Sequence, residues 1–146
     1  MPDIEINITD NSGEILRALE EKKKAALTGI GIQAEGYAKR STPPTATSPN
    51  RTNSTVSLGI LRNSMTHAVR GDDVYIGSNI PYAGFVELGT GIYASDGKGR
   101  KSPWSYQDRN GKWHRTRGMK PHHMLKKAAS EHTEEYKRII EAIMKR

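Results

Sequence analysis

The stretch Pro81-Tyr82-Ala83-Gly84-Phe85-Val86-Glu87-Leu88-Gly89-Thr90-Gly91 decides how the middle of this 146-residue chain folds. Proline favours the first turn of a helix, because its φ is already helical and that position needs no amide hydrogen. Glycine favours the residue just after a helix, where the backbone often turns left-handed. The stretch therefore predicts a short helix from Pro81 to Leu88 that ends at Gly89.

A β-hairpin is predicted on each side of this helix. Residues 58–69 begin as a turn and continue as a strand, Asp72-Asp73 turns the chain, and Val74-Tyr75-Ile76-Gly77 returns as the partner. Further on, Trp104-Ser105-Tyr106-Gln107 and Lys112-Trp113-His114-Arg115 flank Asp108-Arg109-Asn110-Gly111. The Asn-Gly pair is a strong hairpin signal, because both residues tolerate the positive φ that a tight turn requires.

Helices are predicted towards both ends of the chain. Apolar residues recur every three or four positions from Glu14 to about Arg40, namely Ile15, Leu16, Leu19, Ala26, Leu27, Ile30, Ala34 and Tyr37. A second stripe predicts one helix from Pro121 to the C-terminus, with Leu125, Ala128, His132, Tyr136, Ile139, Ile140 and Ile143 on one face. The alternation of Ile4, Ile6 and Ile8 with polar residues predicts a short strand before the first helix.

The predicted fold class is α+β: a small antiparallel sheet packed by long N- and C-terminal helices, with long polar loops. A length of 146 residues predicts a single domain, residues 1–146. Only 34% of residues are hydrophobic and 6% are aromatic, which predicts a small core and surface that is covered in an assembly. Residues 41–57 are nearly all Ser, Thr, Pro and Asn, so they predict a flexible loop or one that a partner orders.

Several functional classes are disfavoured by the sequence. The chain has no cysteine, which excludes disulfides, thiolate metal sites and cysteine nucleophiles. The start is acidic and alternating, so no signal peptide or membrane span is predicted. Among the five histidines, His122 and His123 are adjacent and would point about 100° apart on a helix, and no His-x-x-x-His pair occurs. Without a Gly-x-Ser-x-Gly elbow or a phosphate-binding loop, we predict no enzyme, no metal and no cofactor.

The positive charge is concentrated in one part of the chain. Residues 97–127 hold ten basic side chains against Asp108, a net charge of +9, whereas the whole chain carries +7. The predicted basic contact surface lies in a loop and hairpin at residues 92–120 and consists of Lys98, Arg100, Lys101, Arg109, Lys112, Trp113, Arg115 and Arg117. Cations interleaved with aromatic residues are typical of single-strand nucleic-acid binders, and a loop kept soluble by charge is the alternative.

Three segments between residues 58 and 128 resemble the signatures of a known family. Leu58-Gly59-Ile60-Leu61-Arg62-Asn63-Ser64 contains the pattern G-x-L-R-x-S, and residues 82–90 contain Y-A-x-x-V-E-x-G-T. The third segment is a helix start that reads Pro121-His122-His123-Met124-Leu125-Lys126-Lys127-Ala128. In this order the segments resemble the gene-product-ten type family of tail-completion, or head–tail joining, proteins of long-tailed bacteriophages and prophages.

The resemblance implies a non-enzymatic structural protein at the virion neck, made in the bacterial host cytoplasm. It implies a closed homo-oligomeric ring, most plausibly sixfold, that bridges connector or adaptor proteins and the tail terminator or tail tube, with incidental DNA contact and no membrane. The signature residues carried over are Leu61, Arg62, Ser64, Tyr82, Glu87, Gly89, Thr90, Pro121 and Leu125. A basic module that binds single-stranded nucleic acid is the alternative function.

Two readings of the central signature are left open by the sequence. In one, Glu87 pairs with Arg62 or with a basic residue of a neighbouring subunit. In the other, the helix belongs to the core, Glu87 is solvated, and the packed residues are Tyr82, Phe85, Val86 and Leu88. The polar loop at 41–57 and the basic region at 93–119 are the predicted partner contacts, mobile in the free protein and fixed on assembly.

Overall fold

The computed structural model describes residues 5–42, 55–108 and 110–146, and the fold is α+β as the sequence predicts. Within these ranges the chain forms α1 (Ser12–Ser41), α2 (Thr55–Ser64), β1 (Met65–Arg70), β2 (Asp73–Ser78), α3 (Ala83–Leu88), a 3₁₀ turn (Gly91–Tyr93), β3 (Trp104–Gln107), β4 (Trp113–Thr116), α4 (Met124–Ser130) and α5 (Thr133–Met144).

Both predicted hairpins form, and each is a separate two-stranded antiparallel sheet. In the first, Met65 pairs with Ser78 and Arg70 with Asp73, so the turn has two central residues. Its first central residue is Gly71, whose positive φ of 59° suits the primed turns that match strand twist. In the second hairpin, β3 pairs with β4 from Trp104–Thr116 to Gln107–Trp113.

Helix α1 is the element on which most others pack. Its 30 residues extend over about 45 Å, and it contacts α2, α4, α5 and the first hairpin. The α1 side chains that reach the interior are small, with Ala26, Ala34 and Ala38 buried. Small side chains let the neighbouring elements approach the helix backbone closely, so the core is thin. The main cluster joins Ala38 to residues from later elements, namely Leu61, Met65, Ala83, Val86, Met124 and Ala128.

The apolar stripe of α1 does not pack along its whole length. Ile15, Leu16 and Leu19 were expected to face the core, but they are 65%, 61% and 45% exposed. The expected N-terminal strand is also absent from residues 5–10, where Ile6 and Ile8 are exposed, while Ile4 lies outside the described residues. Alternation favours a strand only where a partner edge supplies the hydrogen bonds, and within the described ranges neither hairpin pairs with residues 5–10.

The predicted turn at residue 58 is a helix instead. Helix α2 begins at Thr55, so residues 55–57 of the expected flexible loop are helical, and residues 43–54 lie outside the described part of the chain. The reason is tertiary: Leu61 is completely buried and holds the helix against the core. At its end, the Ser64 hydroxyl donates to the Leu61 carbonyl at 2.7 Å.

The predicted single C-terminal helix is broken after Ser130. At the break, the His132 ring stacks on Tyr37 of α1, with centroids 3.3 Å apart and planes within 4°. The Tyr37 hydroxyl donates a hydrogen bond to the carboxylate of Glu135, and the Tyr136 hydroxyl donates one to the Ala128 carbonyl. The break thus lets the start of α5 dock against α1, which a straight helix from Pro121 would not allow.

Candidate assembly site

The three signature segments meet in one place, although up to 70 positions separate them. Leu61 from the first, Val86 from the second, and Met124 with Ala128 from the third share the main core cluster. Tyr82 and Leu125 are partly buried against that cluster, and Pro121 is half-buried. The three segments that resemble the family signatures therefore contribute to one core cluster.

Glu87 caps a helix to which it does not belong. Its carboxylate oxygens accept hydrogen bonds from the backbone amides of Leu125 and Lys126, each at 2.9 Å. These amides lie in the first turn of α4, where amide hydrogens have no partner within the helix. His123, at the cap position itself, has a left-handed backbone and makes no side-chain cap bond. A negative charge at this end also interacts favourably with the helix dipole.

The backbone of α3 holds the same segment. The amide of His122 donates to the Val86 carbonyl at 3.0 Å, and that of His123 to the Glu87 carbonyl at 3.2 Å. Burial, together with the positive charge of Lys127, lowers the pKa of His122 below its ordinary value. His122 is therefore neutral at pH 7 and suited to this half-buried position.

The Gly-Thr-Gly end of the central signature pairs with residues 117–119. The Thr90 amide donates to the Met119 carbonyl at 2.8 Å, and the Met119 amide donates to the Thr90 hydroxyl at 2.9 Å. Gly91 and Gly118 both have positive φ, and a Cβ at either would collide with the backbone of the segment that lies opposite it. The glycines are thus required by close backbone approach.

In one of the two readings that the sequence left open, Glu87 could pair with Arg62, and the structure contradicts that pairing. The Arg62 guanidinium donates to the Thr42 carbonyl at 3.0 Å, just beyond the end of α1, whereas Glu87 is committed to α4. Ser64 lies 2.6 Å from the hydroxyl of Ser78, whose oxygen accepts from the Ile80 amide. Arg62 therefore links the last turn of α2 to the residue after α1, and Ser64 links the end of α2 to the end of β2.

An open groove of about 520 Å³ lies beside α3, and we call it the α3 groove. The expectation that Phe85 and Leu88 are packed is wrong, because they line this groove and are 62% and 50% exposed. Trp104 also lines it, with the Arg100 guanidinium 5.7 Å from its ring. The charged residues that line it are Asp96, Lys98 and Arg100, and the Asp96 carboxylate accepts from the Lys98 amide at 2.9 Å.

The predicted basic contact surface is divided between two places. Lys98 and Arg100 line the α3 groove, and the Lys101 ammonium donates nearby to the Gly97 carbonyl at 2.8 Å. Lys112, Trp113 and Arg115 are exposed on the second hairpin, and Arg117 is exposed just after it. Arg109 lies outside the described residues. Since strand neighbours two apart share a face, Trp113 and Arg115 point the same way.

The opposite face of that hairpin is turned inward. Tyr106 and His114 stack with centroids 5.4 Å apart. The Asp108 carboxylate bonds His114 at 2.9 Å and accepts the amides of Asn110 and Lys112 in the turn. The hydrogen bond from His114, followed by the Lys112 amide, lowers the pKa of Asp108 below its ordinary value. The charged Asp108 therefore fixes the turn and leaves Trp113 on the outer face.

Within the described ranges, no group of three or more His, Cys, Asp or Glu side chains is arranged to hold a metal ion. No helix in the same ranges combines the length and hydropathy needed to cross a membrane. The sequence did not single out the α3 groove, because Phe85 and Leu88 are large apolar residues of the kind that usually lie in a core. Their exposure depends on which neighbours the fold supplies.

Comparisons with known proteins found no match, so the interpretation rests on the sequence signatures and the geometry. No protein-family model matches the chain, and neither a curated protein nor a solved structure matches it significantly.

Proposed function

We propose that this chain is a non-enzymatic structural protein of a long-tailed bacteriophage or prophage, located at the head–tail interface. Its role is tail completion or head–tail joining, as a subunit of a closed, sixfold homo-oligomeric ring. Its partners are the connector or adaptor on the head side and the tail terminator or tail tube on the other. It is made in the host cytoplasm and ends in the virion neck.

The observation that carries the proposal is the interlock of the three signature segments. The Glu87 carboxylate caps α4, Thr90 and Met119 exchange hydrogen bonds, and Leu61 packs against Met124 and Ala128. Of these residues, Leu61, Glu87 and Thr90 belong to the signatures of the family that the chain resembles, and here each has a structural role. Such residues maintain a scaffold, which leaves partner contacts to the surfaces around it.

The exposed apolar surface also favours an assembly protein. Monomeric proteins seldom expose contiguous apolar patches larger than a few hundred Å², and larger ones mark interaction sites. Among the described residues, exposed large apolar side chains occur along the start of α1, beside α3 and on the second hairpin, namely Ile6, Ile8, Ile15, Leu16, Leu19, Phe85, Leu88 and Trp113. Contacts with other subunits would remove this surface from water.

Deletion of the gene from the parent phage tests the proposal. Electron micrographs of the lysate should show DNA-filled heads beside separate tails of normal length. Purified protein added to that lysate should restore joined, infectious particles, whereas a Leu61→Asp variant, which places a charge in the core, should not. Overlong tails would assign the protein to length termination, and intact infectious virions from the deletion would reject the neck assignment.

A second candidate function, binding of single-stranded nucleic acid, is favoured by one observation. Trp113 is 67% exposed and shares the outer face of its hairpin with Arg115. An exposed ring beside a cation is a stacking platform for a base, worth about 1–3 kcal/mol per base.

The two candidates differ in salt dependence and in the effect of Trp113→Ala. Nucleic-acid binding predicts measurable affinity for an oligothymidylate that falls steeply with salt, and about a 5- to 150-fold loss on Trp113→Ala. Tyr75→Ala is the matched control, because Tyr75 is 55% exposed on the other hairpin. Affinity that is absent at physiological salt, or that both variants lower equally, would set this candidate aside.

A further inference from the structure

The first part of the chain is an uncovered surface, which we call the N-terminal arm (residues 5–21). Every residue of the arm is exposed. Its helical part, residues 12–21 of α1, extends about 15 Å. Packing begins just beyond, where the Lys23 ammonium reaches the Asp72 carboxylate at 2.8 Å and Ala26 is the first buried residue of the helix.

The arm has the apolar stripe of a helix that packs on something. Ile15, Leu16 and Leu19 lie on one face of α1, since positions three and four apart adjoin on a helix. Apolar side chains left in water forgo the stabilisation that burial would supply. The arm therefore gains stability from any apolar surface that covers this stripe.

The arm is also acidic, although the Glu20 carboxylate already accepts a hydrogen bond from the Lys23 ammonium at 2.8 Å. It holds five carboxylates against one arginine, a net charge of −4; the acidic residues are Glu5, Asp10, Glu14, Glu20 and Glu21, and the basic one is Arg17. Its complement must be apolar and positively charged, which argues against a nucleic acid or an anionic membrane as the partner.

The α3 groove has both properties. Phe85 and Leu88 give it exposed apolar walls, and Lys98 and Arg100 add positive charge that exceeds the single carboxylate of Asp96. Four of its lining residues, Lys98, Gly99, Arg100 and Trp104, come from the part of the chain, residues 97–127, that carries a net charge of +9. Groove and arm are thus complementary in charge and both apolar.

The arm does not occupy the groove of its own subunit, because Leu16, Phe85 and Leu88 are all exposed in the single chain. Two different, complementary patches on one molecule define a head-to-tail contact, which closes into a ring when the rotation between subunits permits. We propose that the N-terminal arm of one subunit seats in the α3 groove of the next, with Leu16 and Leu19 against Phe85 and Leu88. This deepens the proposed function and rests on it, since a ring subunit needs two such surfaces.

Cysteine cross-linking tests the contact directly, because the chain has no cysteine of its own. Leu16→Cys and Leu88→Cys are made as separate single variants, both at exposed positions that leave the core intact. Mixed under mild oxidation, they should form a covalent dimer that neither variant forms alone, since a disulfide requires Cβ atoms about 3.5–4.5 Å apart. The double variant should form a ladder of covalent oligomers that ends at the ring number.

Ile32→Cys is the matched control, because Ile32 is 59% exposed on the same helix but outside the arm. Its mixture with Leu88→Cys should show only background cross-linking. The proposal is overturned if Ile32→Cys cross-links as well as Leu16→Cys, or if Leu16→Cys alone cross-links as fast as the mixture. It is equally overturned if light scattering finds only monomer at a protein concentration of about 1 mM, because the dissociation constant would then lie above that concentration.

Charge exchange provides an independent measurement by sedimentation. Glu20→Lys with Glu21→Lys should weaken association at least tenfold, and so should Lys98→Glu with Arg100→Glu. Mixing the two double variants should restore association between unlike subunits, and failure to restore it would contradict the contact. If the mixed variants associate again but the gene deletion still yields infectious virions, the contact is supported and the neck role is rejected. If the deletion yields separate heads and tails but no arm–groove cross-links form, the neck role is supported and the contact is rejected.

Discussion

Glu87 shows, at the scale of single residues, how a long-range contact replaces a local helix cap. An N-cap side chain normally comes from the residue that begins the helix. In α4 that residue is His123, which has a left-handed backbone and makes no side-chain cap bond. Glu87 supplies both acceptors from 38 and 39 positions away, so one side chain couples α3 to α4.

Removal of this carboxylate should destabilise the fold. We expect Glu87→Ala to lower the free energy of unfolding by about 1–3 kcal/mol, because two amides of α4 lose a charged acceptor. The free energy of unfolding of Glu87→Gln should fall between that of Glu87→Ala and that of the wild type. Urea titration at pH 7 measures the difference.

Glu134→Ala is the matched control, since Glu134 is 77% exposed and its ion pair with Lys137 lies on the surface. It should change the free energy by no more than about 0.5 kcal/mol. Equal urea midpoints for Glu87→Ala and Glu134→Ala would contradict the capping role.

Glu35 links α1 to the first hairpin. One carboxylate oxygen bonds the Lys39 ammonium and the other lies 2.6 Å from the His67 ring nitrogen. The hydrogen bond from Lys39, followed by that from His67, lowers the pKa of Glu35 below its ordinary value of 4.5. A carboxyl group whose pKa is lower in the folded state stabilises the fold at any pH above its unfolded-state pKa. That stability is lost as the pH falls through the folded-state pKa.

The linkage predicts a specific pH dependence for Glu35→Gln. The variant should be less stable than the wild type at pH 6, and the gap should close as the pH falls below about 4.5, because the wild-type carboxyl then takes up a proton. Urea midpoints at intervals between pH 6 and pH 3 measure this. Glu141→Gln, at an exposed position 4.0 Å from Lys145, should show a small gap at every pH. A constant gap for Glu35→Gln would reject the linkage.

At the scale of elements, backbone hydrogen bonds hold much of the chain just after α3, beside the side-chain bond of Thr90. Thr90 and Ile92 donate to the carbonyls of Met119 and Arg117, which brings residues 90–92 against residues 117–119. Gly91 has a φ of 62°, and a Cβ there would collide with the Arg117 carbonyl. Both the backbone angle and the space thus require glycine at this position.

Gly91→Ala and Gly36→Ala should change stability in opposite directions. Gly91→Ala should destabilise by about 1–3 kcal/mol, from the strained φ and the clash. Gly36 lies inside α1, and a Cβ there would make an ordinary contact of 3.9 Å with the Arg40 guanidinium, so Gly36→Ala should stabilise by about 0.5–1 kcal/mol. Thermal unfolding monitored by circular dichroism compares them, and a Gly91→Ala variant as stable as wild type would refute the close approach.

At the scale of the whole molecule, scaffold and contact surfaces are separate. The signature residues are engaged within the subunit, whereas exposed apolar residues occur on the proposed contact surfaces: the N-terminal arm, the α3 groove and the second hairpin. A chain arranged in this way can vary its partner surfaces without losing its fold.

Amide exchange should reveal the contact surfaces on assembly. Amides of residues 12–21 should exchange rapidly in dilute protein and gain protection at high concentration, whereas those of α4, held in the core in both states, should not change. The basic region at residues 93–119 is also predicted to gain protection when partner proteins are added. Strong protection of residues 12–21 in the dilute monomer would contradict this prediction.

The sequence by itself determined the elements that local chemistry specifies. The 3.6-residue period gave α1, Asn110-Gly111 gave the second hairpin, and Pro81 with Gly89 bounded α3. Each of these signals acts within a few residues. Tertiary structure decided the rest: that α2 is helical, that α4 and α5 are separate helices, that Glu87 bonds α4 rather than Arg62, and that the stripe at the start of α1 stays exposed. These outcomes depend on contacts between residues tens of positions apart, and a hydrophobic pattern shows that a face must be covered without showing what covers it.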